Sequence, residues 1–213
     1  MNVWQQFDAD QMADHLAAAI ARGLPGRAAH RAMAHHLAYG RHHGPVPDDA
    51  RRAAVLIALH RTPGGWSIPA ILRPATMKAH AGQVSLPGGL IESDETAAQT
   101  ALREFEEELG ASPADLRVVG QLTPIYVFVS GFEVTPLVAV SVKPLAFDPN
   151  PHEVAAVVEL PLAELTDWKC RGEHVIERRG LRFTVPHFEI SGQRVWGATS
   201  LILAEFVALL GSQ

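Results

Sequence analysis

Four glutamates occupy five consecutive positions near the middle of this chain, Glu104, Glu106, Glu107 and Glu108, and seven of its 23 acids fall between Glu92 and Glu108. On a helix turning 100° per residue, Glu107 and Glu108 lie about 60° behind and about 40° ahead of Glu104, so three carboxylates project from one face. Like charges that close repel one another, and a divalent cation relieves the repulsion. Oxygen ligands with no Cys or His among them favour magnesium or manganese over zinc. A solvated acidic face, the ordinary reading of a charge run, leaves unexplained the absence of compensating bases at i+4. The one base in the helix after its start is Arg103, four positions before Glu107 and able to orient it. Just upstream, Leu86-Pro87-Gly88-Gly89 offers two glycines that permit a sharp bend and a close backbone approach to a ligand. A glycine turn opening onto an acidic helix is a cradle for a metal-bound pyrophosphate.

The elements that must hold these groups follow from hydrophobic periodicity. Residues 94–109 place Ala98, Leu102, Phe105 and Leu109 on a stripe centred roughly 130° from Glu104, with Ser93 or Asp94 as N-cap and Gly110 as the stop. Short apolar runs bounded by Gly and Pro predict strands at 53–59, 66–73, 84–86, 116–122, 132–142, 154–160 and 182–190, and a last helix at 198–210. Strands and helices do not alternate regularly, which indicates an α/β fold with a mixed sheet between helices, not a doubly wound parallel sheet. Residues 1–50 differ in composition and predict a helical extension ahead of a domain at 51–213. Met12, Leu16 and Ile20 recur at spacing four in a first helix, and 28–39 suits a second. Six of the eleven histidines fall in this extension. Neighbours such as His35 and His36 do not face each other on a helix, so solvated helix faces account for them better than a metal site.

Composition narrows the function classes. With 213 residues, 47% of them hydrophobic, the chain can bury a core without staples. A formal charge of -5 leaves no excess of bases to neutralise a phosphate backbone, which argues against nucleic acid as partner. A single cysteine, Cys170, excludes an intramolecular disulfide framework and any multi-cysteine zinc site and fits a reducing compartment. The start carries acids before any base, and no stretch approaches 18 uncharged apolar residues, so neither a secretory signal nor a membrane partner is expected and the cytoplasm is the expected location.

Gly89, Glu95, Arg103-Glu104, Glu107-Glu108, Leu109 and Gly110 stand at the spacings of the Nudix box, and over about residues 50–210 the chain resembles Nudix hydrolases. Phe105 and Ala111 fill two hydrophobic slots that usually hold branched aliphatics. The segment from Arg73 through Lys78, His80, Gly82, Gln83 and Ser85 to Gly89 is similar to the motif ahead of the box in the coenzyme A pyrophosphatase branch. So are Asn150 to Val154 and Val195 to Thr199, while Lys78 and Leu86 stand where that motif usually has Arg and Phe. The resemblance implies a Nudix α/β/α sandwich and Mg²⁺- or Mn²⁺-dependent hydrolysis of a pyrophosphate joined to a nucleoside. It implies metal ligation by Glu104, Glu107, Glu108 and the Gly89 carbonyl, a general base at Glu107 or Glu153, and Arg103 as an orienting group. Arg73, Lys78, His80, Gln83 and Ser85 would bind the substrate, a small nucleotide-derived molecule. The alternatives are ADP-ribose, NADH or a dinucleoside polyphosphate as substrate, or a ligand sensor without catalysis; a homodimer stays open.

Overall fold

The computed structural model describes residues 3–38, 41–77, 80–178 and 180–211, apart from the side chains of His36, His43 and Arg178. Helix α1 (Ala9–Arg22) opens on a capping box, the Asp8 carboxylate accepting from the Gln11 N–H at 2.8 Å and the Gln11 side chain accepting from the Asp8 N–H at 3.0 Å. Its Met12, Leu16 and Ala19 are buried. The single helix predicted over 28–39 is instead one turn, α2 (Arg27–His30), followed by 3₁₀ turns at Arg31–Met33 and His36–Ala38. Ala34 breaks the run with an extended backbone. His30, expected on a solvated face, is fully buried against Glu205.

The body of the protein comprises β1 (Arg51–Thr62), β2 (Gly65–Leu72), β3 (Val84–Ser85), β4 (Gly88–Leu90), α3 (Ala97–Leu109), β5 (Leu116–Gln121), β6 (Ile125–Val127) and β7 (Phe132–Ser141). After these come β8 (Ala156–Pro161), α4 (Leu162–Leu165), β9 (Arg171–Arg178), β10 (Leu181–Ile190), β11 (Gln193–Trp196) and α5 (Ala198–Gly211). The main sheet runs β3-β2-β1-β7-β5, with β4 also on β1, β6 on β7 and β8 on β2. Strands β1 and β7 are parallel, Arg51 to Leu59 beside Phe132 to Val140, and the other pairings are antiparallel, so the sheet is mixed as expected.

Alternation along β1 divides the core. Ala54, Leu56 and Ala58 meet Ala101, Phe105 and Leu109 of α3 on one face. Ala53, Ile57 and Leu59 join Met12 and Leu16 of α1 and Phe206 and Leu209 of α5 on the other. The result is an α/β/α sandwich in which the leading helices share the core of the main sheet. Strands β9, β10 and β11 form a separate antiparallel sheet. Strand β9 has no apolar alternation to announce it, because two of the residues between its exposed positions are Gly172 and His174.

Candidate active site

Helix α3 begins later than predicted. Its N-cap is Thr96, in a capping box with Gln99, and not Ser93 or Asp94. Glu95 is therefore left outside the helix, free to reach back to Arg103 and Thr100. The buried stripe is Ala101, Phe105 and Leu109, with Ala98 and Leu102 only partly buried. That stripe centres roughly 100° from Glu104, which leaves Glu108 about 60° from its middle and Glu107 about 160° away. Glu108 accordingly sinks to 3% exposure, while the Glu107 side chain stays 55% exposed. Gly110 ends the helix in the left-handed region at φ 64°, and a Cβ there would lie 2.2 Å from the Asp148 carbonyl oxygen.

The two glycines upstream are required for different reasons. Gly88 has φ 155°, and a Cβ on it would sit 2.2 Å from the Ala54 carbonyl oxygen of β1. At Gly89 the obstacle would be the Glu104 carboxylate, 2.2 Å from an added Cβ. The turn thus brings backbone against carboxylate at the closest approach a chain allows. The Gly88 N–H donates to Glu108 at 2.9 Å.

Burial is the main force on these carboxylates. Glu108 is pushed up to about 8, by burial above all, with Glu104 and Glu153 adding to the rise and the Gly88 N–H and Arg73 opposing it. Glu104 is raised as well, by burial, against the pull of Arg103 and with the help of Glu107 and Glu153. Glu104, Glu108 and Glu153 therefore feel one another's charge. Arg103 holds the opposite end of the cluster, donating to Glu95 through Nε at 2.7 Å and Nη2 at 3.0 Å. Its Nη1 donates to Glu104 at 2.8 Å and to Glu107 at 3.0 Å. The orientation of Glu107 expected from i+4 spacing is present, but Glu95 is the main partner. Arg103 holds the Glu95 carboxyl down at about 2, with Thr100 assisting.

Glu153 arrives from a loop fastened to the end of α3. The Asp148 N–H donates to the Leu109 carbonyl at 2.9 Å and the Asn150 N–H to the Glu108 carbonyl at 3.0 Å, so the helix's terminal carbonyls anchor the loop. The Asn150 carbonyl then accepts from the Glu153 and Val154 N–H groups at 3.1 and 2.8 Å.

The carboxylates fit a divalent cation. Glu108 accepts its hydrogen bond from a backbone N–H, Glu104 faces a glycine that clears the way to the backbone, and burial, with neighbouring carboxylates adding to it, raises both. Among the described residues no group of three or more His, Cys, Asp or Glu side chains is gathered to hold an ion as it stands. Arg103 draws Glu104 and Glu107 toward itself, so ligation by all three requires that these side chains turn.

Of the residues expected to bind substrate, Arg73 and Ser85 stand beside the glycine turn at the end of β2 and in β3. The Arg73 Nε and the Ser85 Oγ are both buried without a hydrogen-bond partner. His80, at φ 57°, is exposed and its Nδ1 lies 2.9 Å from the Gln83 side-chain oxygen, so these two partner each other in the turn between Arg73 and β3. Lys78 lies outside the described residues. A cleft of about 360 Å³ opens at the N-terminal end of α3, lined by Arg52, Glu95, Gln121, Pro124 and Glu133 among others. Glu95 is the link between that cleft and Arg103, a part the sequence hinted at only through its fixed spacing from the arginine.

A mixed sheet between helices, with a glycine turn feeding a helix of buried and exposed carboxylates, defines the class as an α/β/α sandwich with an acidic site on one helix. Residues 49–178 match the NUDIX domain, and the chain belongs to the Nudix hydrolase family. It is 37% identical over 167 residues to "Uncharacterized Nudix hydrolase NudL" of Cronobacter sakazakii, covering 76% of this chain and 84% of that one. The protein of the same name from Pectobacterium atrosepticum is 38% identical over 156 residues, 72% of this chain and 79% of the other. Among solved structures, a Nudix hydrolase from M. smegmatis, RenU, superposes with a TM-score of 0.47 at 26% identity, over 54% of this chain and 73% of that chain. Nudix hydrolases generally use divalent metal ions such as Mg²⁺. Among the described residues no helix is long and apolar enough to cross a membrane.

Proposed function

We propose that this chain hydrolyses the pyrophosphate bond of coenzyme A or its thioesters, giving 3',5'-ADP and 4'-phosphopantetheine or its acyl form. The observation that carries the reading is the placement of the Glu104 carboxylate against Gly89, where an added Cβ would lie 2.2 Å from it, and of the buried Glu108 carboxylate 2.9 Å from the Gly88 N–H. The specificity for coenzyme A rests on the similarity of the Arg73-to-Gly89 segment to that branch. The unpartnered Arg73 Nε and Ser85 Oγ support it, Arg73 near enough to act on Glu108, because buried polar atoms without a partner call for a polar ligand.

Mg²⁺ or Mn²⁺, held by Glu104, Glu107, Glu108 and the Gly89 carbonyl, would neutralise the pyrophosphate oxygens and lower the pKa of the attacking water. Arg103, anchored by Glu95, holds Glu104 and Glu107 from the side until they turn toward the ion. Glu153 takes the proton of the attacking water, since a loop carboxylate outside the helix keeps its lone pairs for that purpose. Glu107 is the other candidate. Arg73 and Ser85 hold phosphate oxygens, and His80 and Gln83 shape the turn above them. Lys78, in the place of the branch's usual Arg, is assigned to the remote 3'-phosphate. The cytoplasm is the compartment proposed for this activity.

Mass spectrometry of the products from coenzyme A in H₂¹⁸O tests the proposal. The expected result is 3',5'-ADP and 4'-phosphopantetheine, with one of the two carrying ¹⁸O and so identifying the phosphorus attacked. Faster turnover of ADP-ribose, NADH or a dinucleoside polyphosphate would retain the hydrolase and overturn the coenzyme A assignment. Binding without turnover of any of them would favour a ligand sensor, although the carboxylates of the box are all present.

A further inference from the structure

On the separate sheet, His174 of β9 and His187 of β10 place their Nδ1 atoms 3.1 Å apart. The register pairs His174 with Val185 and His187 with Gly172, so the two rings are diagonal neighbours on one face of an antiparallel pair. The ring planes stand at 74° with centroids 4.9 Å apart. Two neutral imidazoles at this distance share one proton between the two nitrogens. The separation also matches two ligands of one ion: nitrogens about 2.0–2.1 Å from a metal are roughly 2.9 Å apart at a right angle and roughly 3.3 Å at the tetrahedral angle.

The surroundings fix the rings in that attitude. The Glu189 carboxylate lies 3.4 Å from the His187 Nε2, on the outer side of the ring, where a carboxylate commonly supports a metal-binding histidine. The His187 ring fills the space above Gly172, where a Cβ would come within 3.0 Å of it. The Trp196 ring stands edge-on to His174 at 5.6 Å. Burial, with His187 and Arg194 nearby and Glu189 opposing, holds His174 below the ordinary imidazole range, so it is neutral and able to ligate at pH 7. Arg194, the cation in this group, is 60% exposed and lies 3.6 Å from the same Glu189 oxygen.

We propose that His174 and His187 form a second metal site, a two-histidine chelate for a borderline transition ion such as Zn²⁺, Ni²⁺ or Cu²⁺, completed by water and distinct from the carboxylate cluster on α3. Imidazole pairs select these ions over Mg²⁺ and Mn²⁺, the ions that suit carboxylates. When the ion enters between the two Nδ1 atoms, the proton that bridged them moves to the outer nitrogen of the ring that donated it, so it is not lost to solvent. Two protein ligands in place of four put the dissociation constant on the order of 10 micromolar, far weaker than a structural zinc site.

The test is calorimetric titration of the chelator-stripped full chain with Zn²⁺ in excess Mg²⁺, which occupies the carboxylate cluster. One equivalent should bind, and His174→Ala and His187→Ala should each weaken it by roughly tenfold or more. Imidazole nitrogen resonances of the wild-type chain provide a readout that does not depend on the variants folding: Zn²⁺ should shift those of His174 and His187. Absence of binding, binding unchanged in both variants, or shifts confined to the histidines of residues 15–43 would overturn the proposal.

Discussion

Two glutamates are buried in this protein to nearly the same depth and titrate in opposite directions. Glu108 on α3 is 3% exposed and pushed up to about 8, whereas Glu205 on α5 is 0% exposed and held below the ordinary carboxylate range. Burial raises both. The difference lies in what faces them. Glu205 accepts from the Thr123 hydroxyl at 2.6 Å, the Gly26 N–H at 2.9 Å and the Thr123 N–H at 3.2 Å, and lies 3.0 Å from the His30 Nε2. Among the described residues Glu108 accepts from the Gly88 N–H and faces two neighbouring carboxylates, with Arg73 opposing them at a distance. A buried carboxylate with its donors satisfied is a structural joint, here binding the leading segment and the β5–β6 corner to α5. One left short of donors among like charges is poised for a cation.

Mutation should separate the two roles cleanly. Glu205→Ala is expected to lower stability by about 3–5 kcal/mol, because it removes from the core the acceptor shared by Gly26 and His30 of the leading segment and Thr123 of the β5–β6 corner. Chemical denaturation measures it, and a change within experimental error would remove Glu205 from its structural part. Glu104→Gln and Glu108→Gln should instead leave the melting temperature no lower than that of wild type and lower kcat on the order of 10²- to 10³-fold, the usual loss for a group that stabilises charge in the transition state. Wild-type turnover by either variant in Mg²⁺ would end the metal-site reading.

Glu153→Gln should reduce kcat by about 10²-fold and abolish the acidic limb of the pH–rate profile while leaving metal affinity nearly unchanged. If Glu107→Gln removes that limb instead, the base is Glu107.

The opposite titrations also predict opposite pH dependences of stability in the metal-free protein. Glu108 rises from 4.5 when unfolded to about 8 when folded, so its contribution is fully present below pH 4.5 and is lost as the pH climbs through 8. At about 1.4 kcal/mol per unit, the loss is a few kcal/mol at most. Glu205 contributes above pH 4.5 and loses its contribution as the pH falls through its lowered value. Melting temperature against pH should therefore become flatter on the alkaline side in Glu108→Gln and on the acidic side in Glu205→Gln. The same slopes in wild type and both variants would refute the contrast. The smallest effect is expected for Thr123→Val, about 1–3 kcal/mol from the lost hydroxyl donor to Glu205, with kcat preserved. A fall in kcat at unchanged stability would mean that the β5–β6 corner serves catalysis directly.

Much of the carboxylate region is legible before folding because its information is local. Helical spacing puts Glu104, Glu107 and Glu108 on one face, Gly110 marks the stop, and the strand runs anticipate most of the main sheet. The N-cap is ambiguous in the sequence because Ser93, Asp94 and Thr96 are all capable caps, and only the pairing with Gln99 selects Thr96. The leading segment carries less local information. Its histidines look like surface residues until α5 supplies Glu205, 175 positions after His30.

Sequence alone determined which groups could do chemistry and on which face of a helix they lie, because backbone periodicity and turn stereochemistry depend on neighbouring residues. Tertiary structure decided their electrostatic character. The rotation of α3 onto β1 buries Glu108 and leaves Glu107 in solvent. The anchoring of the 148–154 loop on the α3 carbonyls brings Glu153 into the cluster, and the paired strands β9 and β10 set His174 against His187. Charge burial and like-charge coupling depend on distances through space, and those distances exist only once segments remote in the chain have packed together.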